Sequence, residues 1–245
     1  MSINRRQFLG FGGAAVAATA TVLAPGLRLI ELAQARSPEE AVTSLHRWGL
    51  LIDASKCADG CTSCVDACHV ENGVTSHNRP ATDAQWIRKV TLKDKQTGHV
   101  QTLPLMCLHC EHPPCVDVCP TGASFKRADG IVLVDKHICI GCRYCMMACP
   151  YKARSFVHEV TTGQKAHAPR GKGTVESCTL CVHKVDRGDG STACADACKQ
   201  EGHQAILFGD LKDPGSEISK RLASQPSTQL RADLKLNTGV RFQGI

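Results

Sequence analysis

Sixteen cysteines dominate the chemistry available to this 245-residue sequence, and they fall into four groups of four. In chain order the groups are Cys57, Cys61, Cys64 and Cys68; Cys107, Cys110, Cys115 and Cys119; Cys139, Cys142, Cys145 and Cys149; and Cys178, Cys181, Cys194 and Cys198. Apart from one longer interval in the last group, neighbouring cysteines are separated by only two to four residues. Thiolates spaced in this way are typical ligands of [4Fe–4S] clusters. The sequence therefore predicts four clusters and a protein that carries electrons.

The third group has the most specific spacing of the four. It is followed by Pro150 and fits the pattern C-x2-C-x2-C-x3-C-P. In ferredoxins with this pattern, three cysteines bind one cluster and the fourth binds the neighbouring cluster. We therefore expect ligands to be exchanged between groups as well as shared within them.

Two other uses of cysteine fit the spacing less well. Disulfide frameworks are common in exported proteins, but they rarely place cysteines two and three residues apart four times over. Structural zinc sites take two C-x2-C pairs, whereas in two groups here a third cysteine follows the second after only two residues. Such crowding suits three corners of an iron–sulfur cubane better than a zinc tetrahedron.

The amino terminus predicts the compartment. Arg5 and Arg6 precede an apolar segment of small residues from 10 to about 23, and Ala33-Gln34-Ala35 follows it. This pattern is typical of a twin-arginine export signal cleaved after Ala35. The alternative is a membrane anchor, but the apolar run is shorter than the ~20 residues that a bilayer span needs. Because this route exports folded proteins, clusters inserted in the reducing cytoplasm could travel with the chain.

Composition argues against nucleic acid as a partner. The formal net charge is +6, and aromatic residues make up 4% of the chain. Removal of residues 1–35 lowers the charge to about +4, and four clusters with their thiolates, each contributing about −2, bring it to about −4. Basic residues are scattered, so the sequence offers neither a basic stripe nor a stacking platform.

Short elements are expected around the cysteines. The patterns predict a strand at 48–52, a hairpin of 86–92 with 99–103, a strand at 131–134, and helical turns at 65–68 and 146–149. With few large apolar elements, we expect the clusters to serve as core, so metal binding and folding are coupled. We predict an α+β fold of two nested ferredoxin-like lobes, with these boundaries: residues 1–35, signal; 36–102 with 174–215, first lobe; 103–160, second lobe; 161–173, crossing between lobes; 216–245, carboxy-terminal extension.

The chain resembles the four-cluster iron–sulfur subunits that accompany molybdopterin oxidoreductases, including the NrfC and HybA branches. The resemblance covers residues 46–215 and is carried by the cysteine groups and by the segments HPPCVDVCPTGA at 112–123, CIGCRYCMMACPY at 139–151 and QAILFGDLKDP at 204–214. The twin-arginine signal and the first two of these segments are similar to the periplasmic iron–sulfur subunits of DsrMKJOP-type complexes. One departure is the three-residue spacing between Cys57 and Cys61, where the common pattern has two.

The resemblance implies how the cysteines pair into cluster sites, which we name A to D. Site A comprises Cys57, Cys61, Cys64 and Cys198; site B, Cys68, Cys178, Cys181 and Cys194; site C, Cys107, Cys110, Cys115 and Cys149; and site D, Cys119, Cys139, Cys142 and Cys145. Every site has four thiolates, so His69, His109 and His112 are not needed as Rieske-type ligands. Arg143 and Tyr144, between two ligands, could tune a cluster potential or simply form exposed surface.

Two classes of function remain at this stage. The resemblance implies a periplasmic electron-transfer subunit that links an NrfD-type quinone-interacting membrane subunit to a multihaem cytochrome c in a DsrMKJOP-like complex of sulfur metabolism. The alternative within that class is a subunit of a hydrogenase, a polysulfide reductase or a nitrite reductase. The other class is an iron–sulfur enzyme, which would leave one cluster iron open for substrate; sixteen thiolates argue against it. Residues 216–245 carry too many charges to span a bilayer, so partners are expected to hold the protein at the membrane.

Overall fold

The computed structural model describes residues 41–245, and the proposed signal at 1–35 lies outside them. The secondary structure is short throughout. The strands are β1 (Trp48–Asp53), β2 (Ile87–Lys93), β3 (Val100–Met106), β4 (Ser124–Lys126), β5 (Val132–Val134), β6 (Ser155–Phe156), β7 (Val175–Glu176), β8 (Ile206–Asp210) and β9 (Val240–Gln243). The helices are α1 (Ser63–Asn72), α2 (Pro114–Asp117), α3 (Tyr144–Ala148), α4 (Val182–Arg187), α5 (Ala193–Gln200) and α6 (Glu217–Ser224).

A three-stranded sheet in the order β8-β1-β9 forms the main apolar layer. β1 reads WGLLID and pairs antiparallel with β8 from Trp48 opposite Asp210 to Ile52 opposite Ile206. On its other edge β1 pairs parallel with β9. Strands buried on both faces form continuous apolar runs rather than alternating ones, which is why β1 reads as it does.

The carboxy-terminal segment completes this sheet. Val240 and Phe242 of β9 are fully buried, and β9 adds a strand beside β1. Residues 216–245, which the sequence marked only as an extension, therefore contribute to the core. The preceding helix α6 begins after Ser216, whose hydroxyl accepts a hydrogen bond from the Ser219 N–H, as an N-cap residue does.

The predicted strand at 131–134, the hairpin and the short helices are all present. β2 and β3 pair from Ile87 opposite Met106 to Lys93 opposite Val100, and β5 pairs with β4. The predicted turn at 65–68 is part of the longer helix α1. Within residues 41–245, small sheets, six short helices and long loops give a mixed α+β fold built from two ferredoxin-like units, as expected.

Cysteine-bearing helices pack against each other in two pairs. α1 contacts α5, and α2 contacts α3. In the first pair each helix carries two cysteines one turn apart, Cys64 and Cys68 in α1, and Cys194 and Cys198 in α5. Side chains four residues apart project from the same face of a helix, so these four sulfurs lie toward one shared interface.

Candidate iron–sulfur sites

The structure brings the sixteen cysteines together in the four sets that the family pairing implies. At site A, burial and the nearby thiols of Cys57, Cys198 and Cys61 raise the pKa of Cys64 to about 11. At site B, the four cysteines line one cavity, together with Asn72 and Leu180. Cavities at sites C and D are each lined by the corresponding four cysteines. Sequence-distant sulfurs such as those of Cys64 and Cys198 therefore lie close together, whereas their assignment as iron ligands stays a prediction.

Burial favours the protonated form of these thiols when no cation is bound. It raises the pKa of Cys107 and Cys110 at site C to about 12, and that of Cys181 at site B to about 12. A buried thiol resists ionisation because the charged form loses its hydration. Binding of cationic iron reverses this preference and releases the protons, since only the thiolate is a ligand.

Left-handed backbone geometry recurs in the loops between close cysteines. His109, Arg143 and Leu180, each within a C-x2-C segment, have φ values of 44°, 65° and 55°. Positive φ is uncommon for residues other than glycine, and it persists only where contacts with the surrounding structure enforce it. Alternation of right- and left-handed residues turns successive N–H groups toward one centre and creates an anion-binding concavity. The loops are therefore shaped to surround a negatively charged group.

Backbone N–H groups already point at several sulfurs. Ser124 donates to Cys119 at 3.3 Å, Leu180 to Cys178 at 3.3 Å, and Ala205 to Cys198 at 3.2 Å. Although burial alone would raise the pKa of Cys119, hydrogen bonds from Ser124 and Thr121 outweigh it and lower that pKa. Hydrogen bonds to ligand sulfur tune the reduction potential of an iron–sulfur cluster.

Exposure separates the four sites into two kinds. All cysteines of sites B and C are buried. At site A, Cys57 and Cys61 are partly exposed, and at site D the same holds for Cys119, Cys139 and Cys142. Sites A and D thus reach the surface of the described chain, and sites B and C do not.

Arg154 is a buried cation between sites C and D. Its side chain is 5% exposed, and it donates to the Cys115 sulfur at 3.1 Å and to the Ser124 hydroxyl at 2.8 Å. Burial alone would lower its pKa, but Cys115, Cys107 and Cys145 outweigh that effect and raise it. Its Nε and Nη1 are buried without a hydrogen-bond partner among the described residues. Sulfur acceptors of a cluster would satisfy these donors, so the residues present fit the group.

His109 is not available as an iron ligand. Its Nδ1 accepts a hydrogen bond from the Val132 N–H at 3.0 Å. Burial, helped by Arg154, lowers the pKa of His109 to about 3, so the ring is neutral and its proton lies on Nε2. With one nitrogen accepting and the other protonated, neither can ligate iron. The assignment of all iron ligands to cysteine stays a prediction.

Two further cations lie beside cysteine loops. Lys89 Nζ donates to the Cys57 sulfur at 3.2 Å. Arg143, which the sequence offered as a tuning residue or as exposed surface, lines the cavity of site D and stacks its guanidinium over Phe156, 3.7 Å from the ring centroid. The sequence missed both Arg154 and Lys89, because their proximity to sulfur depends on tertiary contacts across 39 and 32 residues.

Family models match the described cysteine regions and the amino terminus. Residues 56–123 and 98–210 each match a 4Fe-4S dicluster domain. Residues 2–22 match the signal sequence of the twin-arginine translocation pathway. Two dicluster domains and sixteen cysteines fit four [4Fe–4S] clusters. Among residues 41–245, no helix combines the length and apolar character needed to cross a bilayer.

Several known proteins are similar to this chain over most of their length. The chain is 42% identical to the Hdr-like menaquinol oxidoreductase iron-sulfur subunit 1 of Archaeoglobus fulgidus, covering 95% of this chain and 94% of that protein. It is 39% identical to a subunit of the tetrathionate reductase of Salmonella typhimurium, over 91% and 80% respectively. It is 37% identical to NrfC of Escherichia coli, over 96% and 92%. The chain therefore belongs to the 4Fe-4S dicluster family of iron–sulfur electron-transfer subunits of oxidoreductase complexes.

Proposed function

We propose that this chain is the periplasmic electron carrier of a DsrMKJOP-like complex, linking an NrfD-type quinone-interacting membrane subunit to a multihaem cytochrome c. When bound, [4Fe–4S] clusters take up and release single electrons. The observation that carries the proposal is the exposure pattern: the cysteines of sites B and C are all buried, whereas sites A and D each contain partly exposed cysteines. Two surface sites joined through two interior sites suit a carrier with one partner at each end.

Shared elements support the order A, B, C, D. α1 and α5 each contribute one sulfur to site A and one to site B. Cys115 with Cys119, and Cys145 with Cys149, link sites C and D in the same way, four residues apart. Sites B and C are connected through two consecutive residues, since Met106 lines the cavity of site B and Cys107 lines that of site C. The ligand sets and the two nested lobes, with the boundaries given above, are part of this proposal.

An apolar surface around site D supports its role as the membrane-facing end. Ile138, Ile140, Tyr144 and Met147 are 48%, 67%, 54% and 65% exposed, and they flank Cys139, Cys142 and Cys145. Clustered exposed apolar side chains mark protein or membrane contact sites. We call these four residues the site D patch. A quinone-interacting membrane protein is the partner we assign to it, which leaves site A for the cytochrome. This contact would hold the chain at the membrane.

The names of similar proteins favour quinol-linked and sulfur-linked complexes. One relative is described as part of a menaquinol oxidoreductase, and another is a subunit of the sulfite dehydrogenase of Allochromatium vinosum, 38% identical over 74% of this chain. The similarity to the tetrathionate reductase protein favours a second candidate, the carrier of a molybdopterin reductase. In that case site A would face a catalytic subunit rather than a cytochrome.

Affinity purification from native membranes separates the two candidates. A tagged chain should retain an NrfD-type membrane protein and a multihaem cytochrome c, whereas recovery of a molybdopterin subunit in their place contradicts the proposal and supports the second candidate. Ile140→Glu should abolish cluster reduction by quinol-treated membranes because it places a charge within the site D patch. Val160→Glu is the matched control, since Val160 is a 72% exposed aliphatic residue outside the patch; equal losses in both variants would exclude the patch as the contact.

A further inference from the structure

Three side chains outside the four cysteine sites lie close together. They are Glu71 at the end of α1, His167 in the crossing segment 161–173, and His183 in α4. One nitrogen or carboxylate oxygen from each lies within 4.8 Å of the others. From this geometry we propose that Glu71, His167 and His183 bind a divalent transition-metal ion of the zinc class, separate from the sixteen cysteines.

The chemistry of the donors suits this class of metal. Two imidazoles and one carboxylate are borderline ligands that zinc takes in sites with three protein ligands and a fourth position open to water. Magnesium and calcium prefer sites made wholly of oxygen. The His167 and Glu71 side chains are 30% and 33% exposed, so an ion can reach the site from solvent.

The distances require only small adjustments. The His183 Nε2 lies 2.7 Å from Glu71 Oε1, and the His167 Nε2 lies 3.8 Å from the same oxygen. Zinc with bonds of about 2.0–2.2 Å and tetrahedral angles holds its ligand atoms about 3.3–3.5 Å apart. The first separation must therefore lengthen by about 0.6–0.8 Å and the second shorten by about 0.3–0.5 Å. The His183 side chain is only 9% exposed, so the partly exposed Glu71 and His167 side chains would make these shifts.

The rings of His167 and His183 are stacked on each other. Their centroids are 3.8 Å apart and their planes are inclined at 26°. Both Nε2 atoms face Glu71, that of His183 toward the carboxylate and that of His167 toward the backbone carbonyl at 3.0 Å. Binding would exchange these hydrogen bonds for bonds to the ion.

The positive charges near this cluster form ion pairs with other carboxylates. Lys184 forms an ion pair with Asp196 at 2.6 Å, and Arg187 forms one with Asp189 at 2.7 Å. Their charge is thus partly neutralised beside the site. A bound ion would join the crossing segment to the helices that carry Cys68 and follow Cys181, so it would fasten the loop that runs between the two halves of the chain.

Zinc added to the intact holoprotein tests the proposal. Anaerobic protein is treated with a chelator, given zinc chloride, desalted, and analysed for zinc and iron. We expect about one zinc per chain with no loss of iron. X-ray absorption at the zinc edge should show nitrogen and oxygen ligands at about 2.0–2.1 Å, whereas sulfur at about 2.3 Å would mean capture by cluster cysteines and would overturn the proposal. Absence of retained zinc would overturn it equally.

Variants separate a metal site from a purely hydrogen-bonded cluster. His167→Ala and Glu71→Gln should each weaken zinc binding at least tenfold in competition with a chromophoric chelator. Glu71→Gln keeps a side chain that can still bond to His183, so it guards against a folding defect in the alanine variant. His99→Ala, an exposed histidine on the β2–β3 loop, is the matched control and should bind zinc like the unmodified protein. Unchanged affinity in Glu71→Gln would exclude the site.

Discussion

Arg154→Gln should lower the reduction potentials of the clusters at sites C and D. The guanidinium is buried and contacts the Cys115 sulfur at 3.1 Å. Reduction adds a negative charge, and a fixed positive charge nearby stabilises it. Glutamine removes that charge while retaining a donor for the Ser124 hydroxyl, which Arg154 contacts at 2.8 Å.

The size of the shift follows from Coulomb's law. Two unit charges about 4 Å apart interact by about 4 kcal/mol at an effective dielectric of about 20. Because the added electron is spread over a cluster and its thiolates, we assign about half of this, ~2 kcal/mol, to the site nearest Arg154. That is a change of about thirtyfold in the reduction equilibrium, or about 90 mV for a one-electron couple. Site C should shift most, and site D less.

Anaerobic redox titration followed by EPR measures these potentials. Arg154→Lys is the charge-retaining control and should shift the potentials by less than a third as much. Lys89→Gln is the positional control, because Lys89 contacts Cys57 at site A; it should lower one potential and leave those of sites C and D unchanged. If Arg154→Gln retains its iron and all four midpoints stay within about 20 mV of the unmodified protein, the electrostatic reasoning is wrong.

Three further predictions concern cluster pairing, the core and export. Cys198→Ser should damage the cluster at site A and spare site B, because Cys198 lies beside Cys64; iron analysis with EPR would contradict the pairing if site B were lost instead. Phe242→Ala should destabilise the protein by about 3–5 kcal/mol, since it empties a fully buried aromatic position in β9; faster iron release on heating is the expected sign of this loss, and Leu234→Ala, at a 37% exposed position, should release iron like the unmodified protein. Arg5→Lys with Arg6→Lys should leave cluster-loaded protein in the cytoplasm; fractionation that finds normal periplasmic protein would refute the signal.

The sequence predicted the elements that carry a local pattern. β1 was recognisable because five of the six residues in WGLLID are apolar or glycine, and the β2–β3 hairpin because two segments with recurring apolar and β-branched residues flank the turn residues Asp94 and Gly98. β9 was missed although Val240 and Phe242 alternate with polar residues between Gly239 and Gly244. Four residues set in a charged segment give too weak a pattern to be distinguished from a tail. Its parallel pairing with β1, nearly 190 residues earlier, has no local signature.

In the candidate sites, too, the sequence predicted what has a local pattern, the cysteines, and missed the groups that the fold brings to them. Cysteine spacing marks every sulfur, because a cubane demands several ligands from one short loop. The groups that surround the sulfurs come from elsewhere in the fold: Arg154 approaches Cys115, and His183 approaches Glu71 across 112 residues. Arg143, adjacent to a cysteine in sequence, lines the cavity of site D while its guanidinium stacks on Phe156. Sequence proximity to a ligand thus marks some of the charges near a site and misses others, such as Arg154.

Burial and charge together explain why site C needs its arginine. Enclosure in a low-dielectric interior disfavours the more negative, reduced form of a cluster, just as it disfavours an ionised thiol. Sites B and C are both enclosed. At site B the main influences on Cys68 and Cys178 are burial and other cysteine sulfurs, with a neutral amide from Asn72. At site C, Arg154 offsets the cost of burial. The cation beside Cys181 at site B, Lys184, is paired with Asp196. Site B should therefore have a lower potential than site C, and loss of Arg154 should narrow that difference, because it removes the buried positive charge beside site C.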